Sequence, residues 1–223
     1  MMSNLNIIRQ ASKEQLLDRV WLEGAICKLG LGKRPTEIPL GMHKFCGGLY
    51  IWQYPIQLAP YLIELAGKHI TSYAEIGLFQ GGTFILTVEY LSRFSPITTA
   101  LGIDKLLLPE VKGYAEHNSA VRLVEAMSTD DAAREAIAEA KPDLVFIDAD
   151  HSEEACRADY EMVKPHAKYI GFHDLVEWTC PGVSKVWQDA EGVKREYLEQ
   201  YHGIQHSTYG IGLVENAYSG SDT

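Results

Sequence analysis

The chain has 223 residues, enough for one α/β domain with a substantial core or for one domain with a small appendage. Its 30 acidic residues outnumber 20 Lys and Arg, giving a net charge of −10, which argues against a nucleic-acid backbone or an anionic membrane as main partner and for a small-molecule substrate. No apolar run reaches the length of a membrane span, the start lacks a signal-peptide layout, and Cys27, Cys46, Cys156 and Cys180 form no C-x-x-C pair, so the expectation is a cytoplasmic protein with free thiols.

From the N-terminus, Ser12 to Lys28 carries a helical stripe of Leu16, Leu17, Val20, Trp21 and Ala25, with Ser12 placed as N-cap. Leu29 to Gly48 is rich in Gly, Lys and Pro and has no period. A connection that long reads as a lid or substrate loop, with His43 and Lys44 as solvated residues in it. Tyr50, Ile51, Trp52 and Tyr54 follow, and after Pro55 a helix turns Leu58, Leu62 and Leu65 to the core. Trp52 reads as core; a pocket wall made by Trp52 and Gln53 is the alternative.

Ser72 to Thr83, SYAEIGLFQGGT, organises the rest: a short buried strand, the acid Glu75, then a glycine turn opening a helix over Thr83 to Arg93. Glycines let backbone approach a ligand, and helix N–H groups face it. Counting G-x-G-x-x-G from Gly77 puts Phe79 where pyrophosphate would need room, which counts against NAD. The pattern present, E-x-G-x-x-x-G-G-T, resembles motif I of the class I S-adenosylmethionine-dependent methyltransferases. The resemblance implies that Gly77 and Gly81 line the methionine half of the cofactor with Glu75 at the base of the turn. Phe79 and Thr83, on the same turn, are counted as cofactor contacts with them.

Ile97 to Ile103 is a second strand ending in Asp104, the place where this architecture offers a carboxylate to ribose hydroxyls. A third strand over Val121 to Ala126 closes in Met127, Ser128, Thr129 and Asp130. By the same resemblance Met127 and Ser128 touch adenine; alternatively Ser128 or Thr129 caps the helix over Asp131 to Ala140. Leu144 to Ile147 is an all-apolar strand with Asp148, Asp150 and His151 at its carboxyl end. A helix capped near Ser152 follows, burying Cys156, Tyr160 and Val163 and stopped by Pro165; the next strand, Tyr169 to Phe172, ends in His173 and Asp174. Two parallel strands thus deliver polar ends to the ligand-binding edge. Asp148, Asp174 and His173 form a candidate ligand set for a divalent ion, and His151 can accept a proton from a hydroxyl.

Leu175 to Gly182 is a loop in which Trp178 reads equally as pocket wall or core. Val183 to Tyr201 reads as one long helix with Val186, Trp187, Ala190 and Val193 inward, and His202 to Glu215 as two short strands of a final hairpin. Asn216 to Thr223 is expected to fray.

The stretch I-D-x-D-H-S-x-E-x-x-x-x-D with F-H-D at the next strand resembles the metal-associated methyltransferases that include macrolide-sugar O-methyltransferases, and also cephalosporin-hydroxylase-type proteins. The likeness covers roughly Ser72 to Val186. It implies that Asp148, His173 and Asp174 hold Mg2+ or another divalent cation and that His151 is the base; Asp150 is counted as catalytic beside it, and Asp148 also as a cofactor contact. His173 departs from the pattern, since that position is usually acidic and magnesium prefers oxygen ligands. The expected fold is α/β, a Rossmann-like, doubly wound, mostly parallel seven-stranded sheet with an antiparallel last strand and an N-terminal helical extension. Three units are expected: extension and lid loop (1–70), cofactor-binding core (71–216) and tail (217–223). The expected activity is S-adenosylmethionine-dependent O-methylation of a small polar molecule of sugar or natural-product type, with a homo-oligomer left open. The alternatives are a hydroxylase-like enzyme on this fold, a nicotinamide-dependent oxidoreductase, and a non-catalytic module binding a nucleoside-like ligand.

Overall fold

The computed structural model describes residues 2–32, 48–202 and 206–216. Most of the 29–48 connection, including His43 and Lys44, and the 217–223 tail lie outside the described residues.

Five strands, β1 (Ser72–Ile76), β2 (Thr99–Asp104), β3 (Val121–Glu125), β4 (Leu144–Ile147) and β5 (Tyr169–Phe172), pair in parallel; β7 (Ile211–Glu215) runs antiparallel between β5 and β6 (Val193–Tyr197). The order is β3-β2-β1-β4-β5-β7-β6, so this is the expected seven-stranded α/β sheet with an antiparallel last strand. Successive side chains leave a strand on opposite faces, so the apolar runs supply two cores. Tyr73, Leu144 and Phe146 enter one; Ala74, Ile76, Val145 and Ile147 enter the other. The order turns back between β1 and β4, which opens a crevice at their carboxyl ends.

The first core also takes in the N-terminal helices. The expected single helix from Ser12 to Lys28 is two, α2 (Lys13–Leu17) and α3 (Arg19–Leu29), preceded by the short α1 (Asn6–Arg9). Asp18 breaks it: its backbone is extended and its carboxylate accepts the amide of Trp21, which starts a new helix. Val20, expected inward, is therefore 80% exposed, while Leu16, Leu22 and Ile26 are buried with Phe84 and Leu86 of α5 (Gly82–Leu91) and with α4 (Pro55–Ala66). Arg9 donates to both oxygens of buried Glu89 on α5, at 2.7 and 2.5 Å, and Tyr114 of α6 (Pro109–Glu116) donates to the same carboxylate at 2.9 Å.

On the second face α7 (Asp131–Ala140) and α8 (Glu153–Val163) fall where expected, Ser152 capping α8 and Cys156, Tyr160 and Val163 buried. The long helix expected from Val183 to Tyr201 ends early: α9 is Pro181–Asp189, and after Gly192 (φ +128°) the chain turns into β6. A side chain at Gly192 would meet the Glu215 carbonyl at 2.3 Å, so glycine sets this turn. Val193 is accordingly exposed, and 206–216 supplies one strand where a hairpin of two is expected. Cys27, Cys156 and Cys180 are free thiols. No helix among the described residues is long and apolar enough to cross a membrane.

The carboxyl ends of β1 and β4 meet backbone to backbone. Gly77 has φ +89°, and a Cβ on it would lie 2.1 Å from the Asp148 carbonyl oxygen. Gly77→Ala should therefore cost about 3 kcal/mol or more, read as a lowered urea midpoint. Arg9→Ala removes two donors from a buried carboxylate that keeps only the Tyr114 hydroxyl; a loss of about 1–3 kcal/mol in the same assay is expected. An unchanged midpoint would mean that the Arg9–Glu89 pair adds nothing to the core's stability.

Candidate active site

One cavity of about 1310 Å3 occupies the crevice. Its floor follows from the turns after successive strands. Gly81 (φ +80°) sits at the N-cap of α5 and lets the turn enter the helix. Phe79 also holds a left-handed φ of +49°, and its ring is half exposed, edge-on to Trp52 with centroids 5.7 Å apart. Asp104 ties this turn down: Oδ2 accepts the amides of Leu78 at 2.7 Å and Phe79 at 2.8 Å, and Oδ1 accepts that of Leu106 at 3.0 Å. A carboxylate has about four acceptor positions, so Asp104 retains capacity for one further donor.

Glu75, Gly77, Phe79, Thr83 and Asp104 line the cavity, and so do Met127, Ser128, Asp148, Asp150, His151, His173 and Asp174. Gly81 does not: its Cβ direction points at Val111 of α6, 2.8 Å away, so its part is to shape the turn. Neither Ser128 nor Thr129 caps α7, because Asp130 takes that position and accepts the amide of Met127 at 2.9 Å. Trp178 is 68% exposed against His206 and belongs neither to the cavity wall nor to the core. Trp52, expected in the core, stands at the cavity wall. Glu75 is fully buried and accepts the Tyr73 hydroxyl, and burial holds its carboxyl well above the usual range.

The ends of β4 and β5 bring four titratable groups together. His173, 3% exposed, donates from Nδ1 to Asp148 Oδ1 at 3.0 Å and lies 3.3 Å from Asp174 Oδ1. Its ring is stacked on Tyr209, with centroids 5.2 Å apart. His151 Nε2 stands 2.7 Å from Asp174 Oδ2 and 3.6 Å from Asp148 Oδ1, the closer contact lying off the line of a good hydrogen bond. Asp148 and Asp174 push the His151 imidazole up to about 10 despite its partial burial. Burial pulls the His173 imidazole down, but the same two carboxylates outweigh it and carry it up to about 10. Burial in turn would raise Asp174, and His173 with His151 hold it well below the usual carboxylate range. Asp150 stands apart at the rim, where its Oδ1 accepts the Ser152 amide at 2.8 Å and that bond holds its carboxyl low.

Two groups of potential ligand atoms lie within 4.8 Å of one another among the described residues: Asp148, His173 and Asp174, and His151, Asp174 and Cys180. Two carboxylates with one imidazole match a first-row divalent ion better than magnesium, and His173 Nδ1 would have to give up its proton to serve.

Sequence patterns missed two contributors, Tyr209 and Asp159, and offered a third, Gln53, only as part of an alternative pocket wall. Gln53 is 1% exposed and donates to Asp148 Oδ2 at 3.0 Å. Tyr209, behind His173, comes from the stretch before β7, where nothing in the sequence signals a site. Asp159 on α8 is buried, which pushes its carboxyl up to about 6 against the Ser128 hydroxyl bonded to it; its place in D-H-S-x-E-x-x-x-x-D was the available signal.

Residues 74–175 match the family described as a methyltransferase domain. No curated protein sequence matches the chain. Among solved structures it is similar to the O-methyltransferase TomG of Streptomyces achromogenes, involved in tomaymycin synthesis and solved in complex with SAM (TM-score 0.52, 14% identity, 78% of this chain and 85% of that one). It is also similar to cofactor-bound Rv0187 from MTB (TM-score 0.50, 20% identity, 70% of this chain and 78% of that one). These likenesses concern the fold, whereas the family match spans β1 through the His173–Asp174 pair, the segment that builds the cavity floor. Over that segment the chain is therefore similar to methyltransferase domains.

Proposed function

We propose that the protein is an O-methyltransferase of the cytoplasm that methylates a hydroxyl of a small polar molecule, with His151 as the general base. The observation that carries this reading is the placement of His151: its ring lines the cavity while Nε2 faces Asp174 and Asp148. Facing carboxylates favour the tautomer with the proton on Nε2, which leaves the Nδ1 lone pair to take a hydroxyl proton.

S-adenosylmethionine supplies an already activated sulfonium methyl group when bound. The cavity suits it: a glycine turn, Asp104 with acceptor capacity at the second strand end, and Met127 and Ser128 beyond the third follow one another along the sheet edge. The SAM complex of TomG supports the same reading for this chain. The residues then align donor and acceptor, which for well-oriented groups is worth about 7–11 kcal/mol at most. His151 removes the acceptor proton, worth about a hundredfold to ten-thousandfold. Asp174 and Asp148 orient its ring and stabilise the imidazolium that results. A divalent ion held by Asp148, His173 and Asp174 would supply Lewis acidity toward the acceptor oxygen.

His151→Ala should lower turnover at least about a hundredfold, with affinity for S-adenosylhomocysteine within about twofold of wild type. Methyl transfer to a panel of polyhydroxylated acceptors, followed by mass spectrometry, measures it; a wild-type rate removes His151 as base. A base must be deprotonated, and the carboxylates hold His151 up to about 10 in the cofactor-free protein. Turnover should therefore climb as pH rises from neutrality toward that value and fade as pH drops. A rate that is flat or falling over this alkaline interval would contradict the assignment.

A further inference from the structure

Gln53 belongs to the segment between the N-terminal helices and α4, outside the matched methyltransferase segment, yet it reaches the centre of the cavity. Its backbone neighbourhood is fixed on both sides. Ile51 donates to the Gly30 carbonyl at 3.0 Å and accepts the Gly32 amide at 2.9 Å, and Tyr54 accepts the Gln57 amide at 2.9 Å where α4 begins. The side chain is 1% exposed and both ends of its amide are engaged: the Thr83 hydroxyl donates to Oε1, and Nε2 donates to Asp148 Oδ2 at 3.0 Å.

The orientation of that amide follows from chemistry. A carboxylate only accepts, so the group facing Asp148 must be the NH2, and the oxygen is left for the Thr83 hydroxyl. A directed chain results: Thr83 to Gln53, Gln53 to Asp148 Oδ2, and His173 to Asp148 Oδ1. With Oδ2 pinned on one side, the carboxylate plane turns Oδ1 toward both imidazoles.

We infer that Gln53 is a positioning residue: its amide, held by Thr83, fixes the Asp148 carboxylate so that His173 and His151 are oriented for proton removal, and the N-terminal extension thereby completes the active site. The inference rests on the reading of His151 as base. Removing the hydrogen-bond partner of a metal ligand commonly costs about 10- to 100-fold in activity, and loss of the amide that orients Asp148 is expected on the same scale.

Gln53→Met keeps the side-chain volume and removes both hydrogen bonds. Its kcat should fall about 10- to 100-fold while KM for S-adenosylmethionine changes little; the urea midpoint should drop, because the buried Thr83 hydroxyl and Asp148 Oδ2 each lose a partner, with the protein still folded in the absence of urea. In 15N-labelled histidine spectra the hydrogen-bonded Nδ1–H signal of His173 should shift or broaden, and Thr83→Val should produce a smaller change of the same kind. A wild-type kcat in Gln53→Met beside an inactive His151→Ala overturns the positioning role and leaves the base in place. An active His151→Ala overturns the base; the histidine spectrum of Gln53→Met then decides, and an unchanged Nδ1–H signal sinks the inference. Gln53→Asn, which can donate only if the backbone yields, should recover less than half of the lost rate; full recovery would mean that this placement is not required.

Discussion

Everything in the cavity depends on one constraint: two carboxylates and two imidazoles share the ends of β4 and β5, and most of that group is out of water. Burying a single carboxylate there would be prohibitive, and two side by side would repel. Imidazoles resolve it, because an N–H between Asp148 and Asp174 supplies both donor and positive charge. The pairing need not add net stability, since buried ions give up hydration to make it. Its consequence is orientation: rings that would otherwise turn freely are held with Nε2 of His151 and Nδ1 of His173 against acid oxygens.

The glycine turn and the acids around it serve the same end from the other side of the crevice. Gly77 lets β1 and β4 touch, which brings the Asp148 backbone beside the turn that Asp104 anchors. The glycine turn and the strand-end cluster are therefore joined through direct backbone contact. Gln53 is the third support, and it arrives from the N-terminal extension, so a part of the chain with no motif of its own shapes the site.

Much of this was legible in the sequence where local chemistry and tertiary need agree. Leu144–Ile147 and Tyr169–Phe172 are wholly apolar because both sheet faces are covered, and the polar residues after them have one place to go, the carboxyl edge. Ser152 caps α8 with a side chain suited to nothing else there. The misreadings arose where one residue overrode a pattern. Asp18 interrupts an apolar stripe to cap a new helix, and Gly192 turns VKREY into an edge strand whose charges mimic a polar helix face. Gln53 is legible only as a possible pocket wall and Tyr209 not at all, because their contacts to Asp148 and His173 cross about 95 and 36 residues of chain, distances no local period reports. Residue type favours the core for Trp52 and leaves the pocket wall as the alternative; its position beside Phe79 at the cavity wall depends on the same long-range packing.

The proposed methyl transfer requires the cavity at the turn back of the sheet to bind S-adenosylmethionine. Calorimetric titration of the purified full chain with S-adenosylhomocysteine, in magnesium, in manganese and in EDTA, tests this most directly. Saturable binding at one site in the micromolar range, weakened when Asp104→Asn is titrated in its place, is the predicted result. Absence of heat under all three conditions, with heat on titrating a nicotinamide dinucleotide, would contradict it.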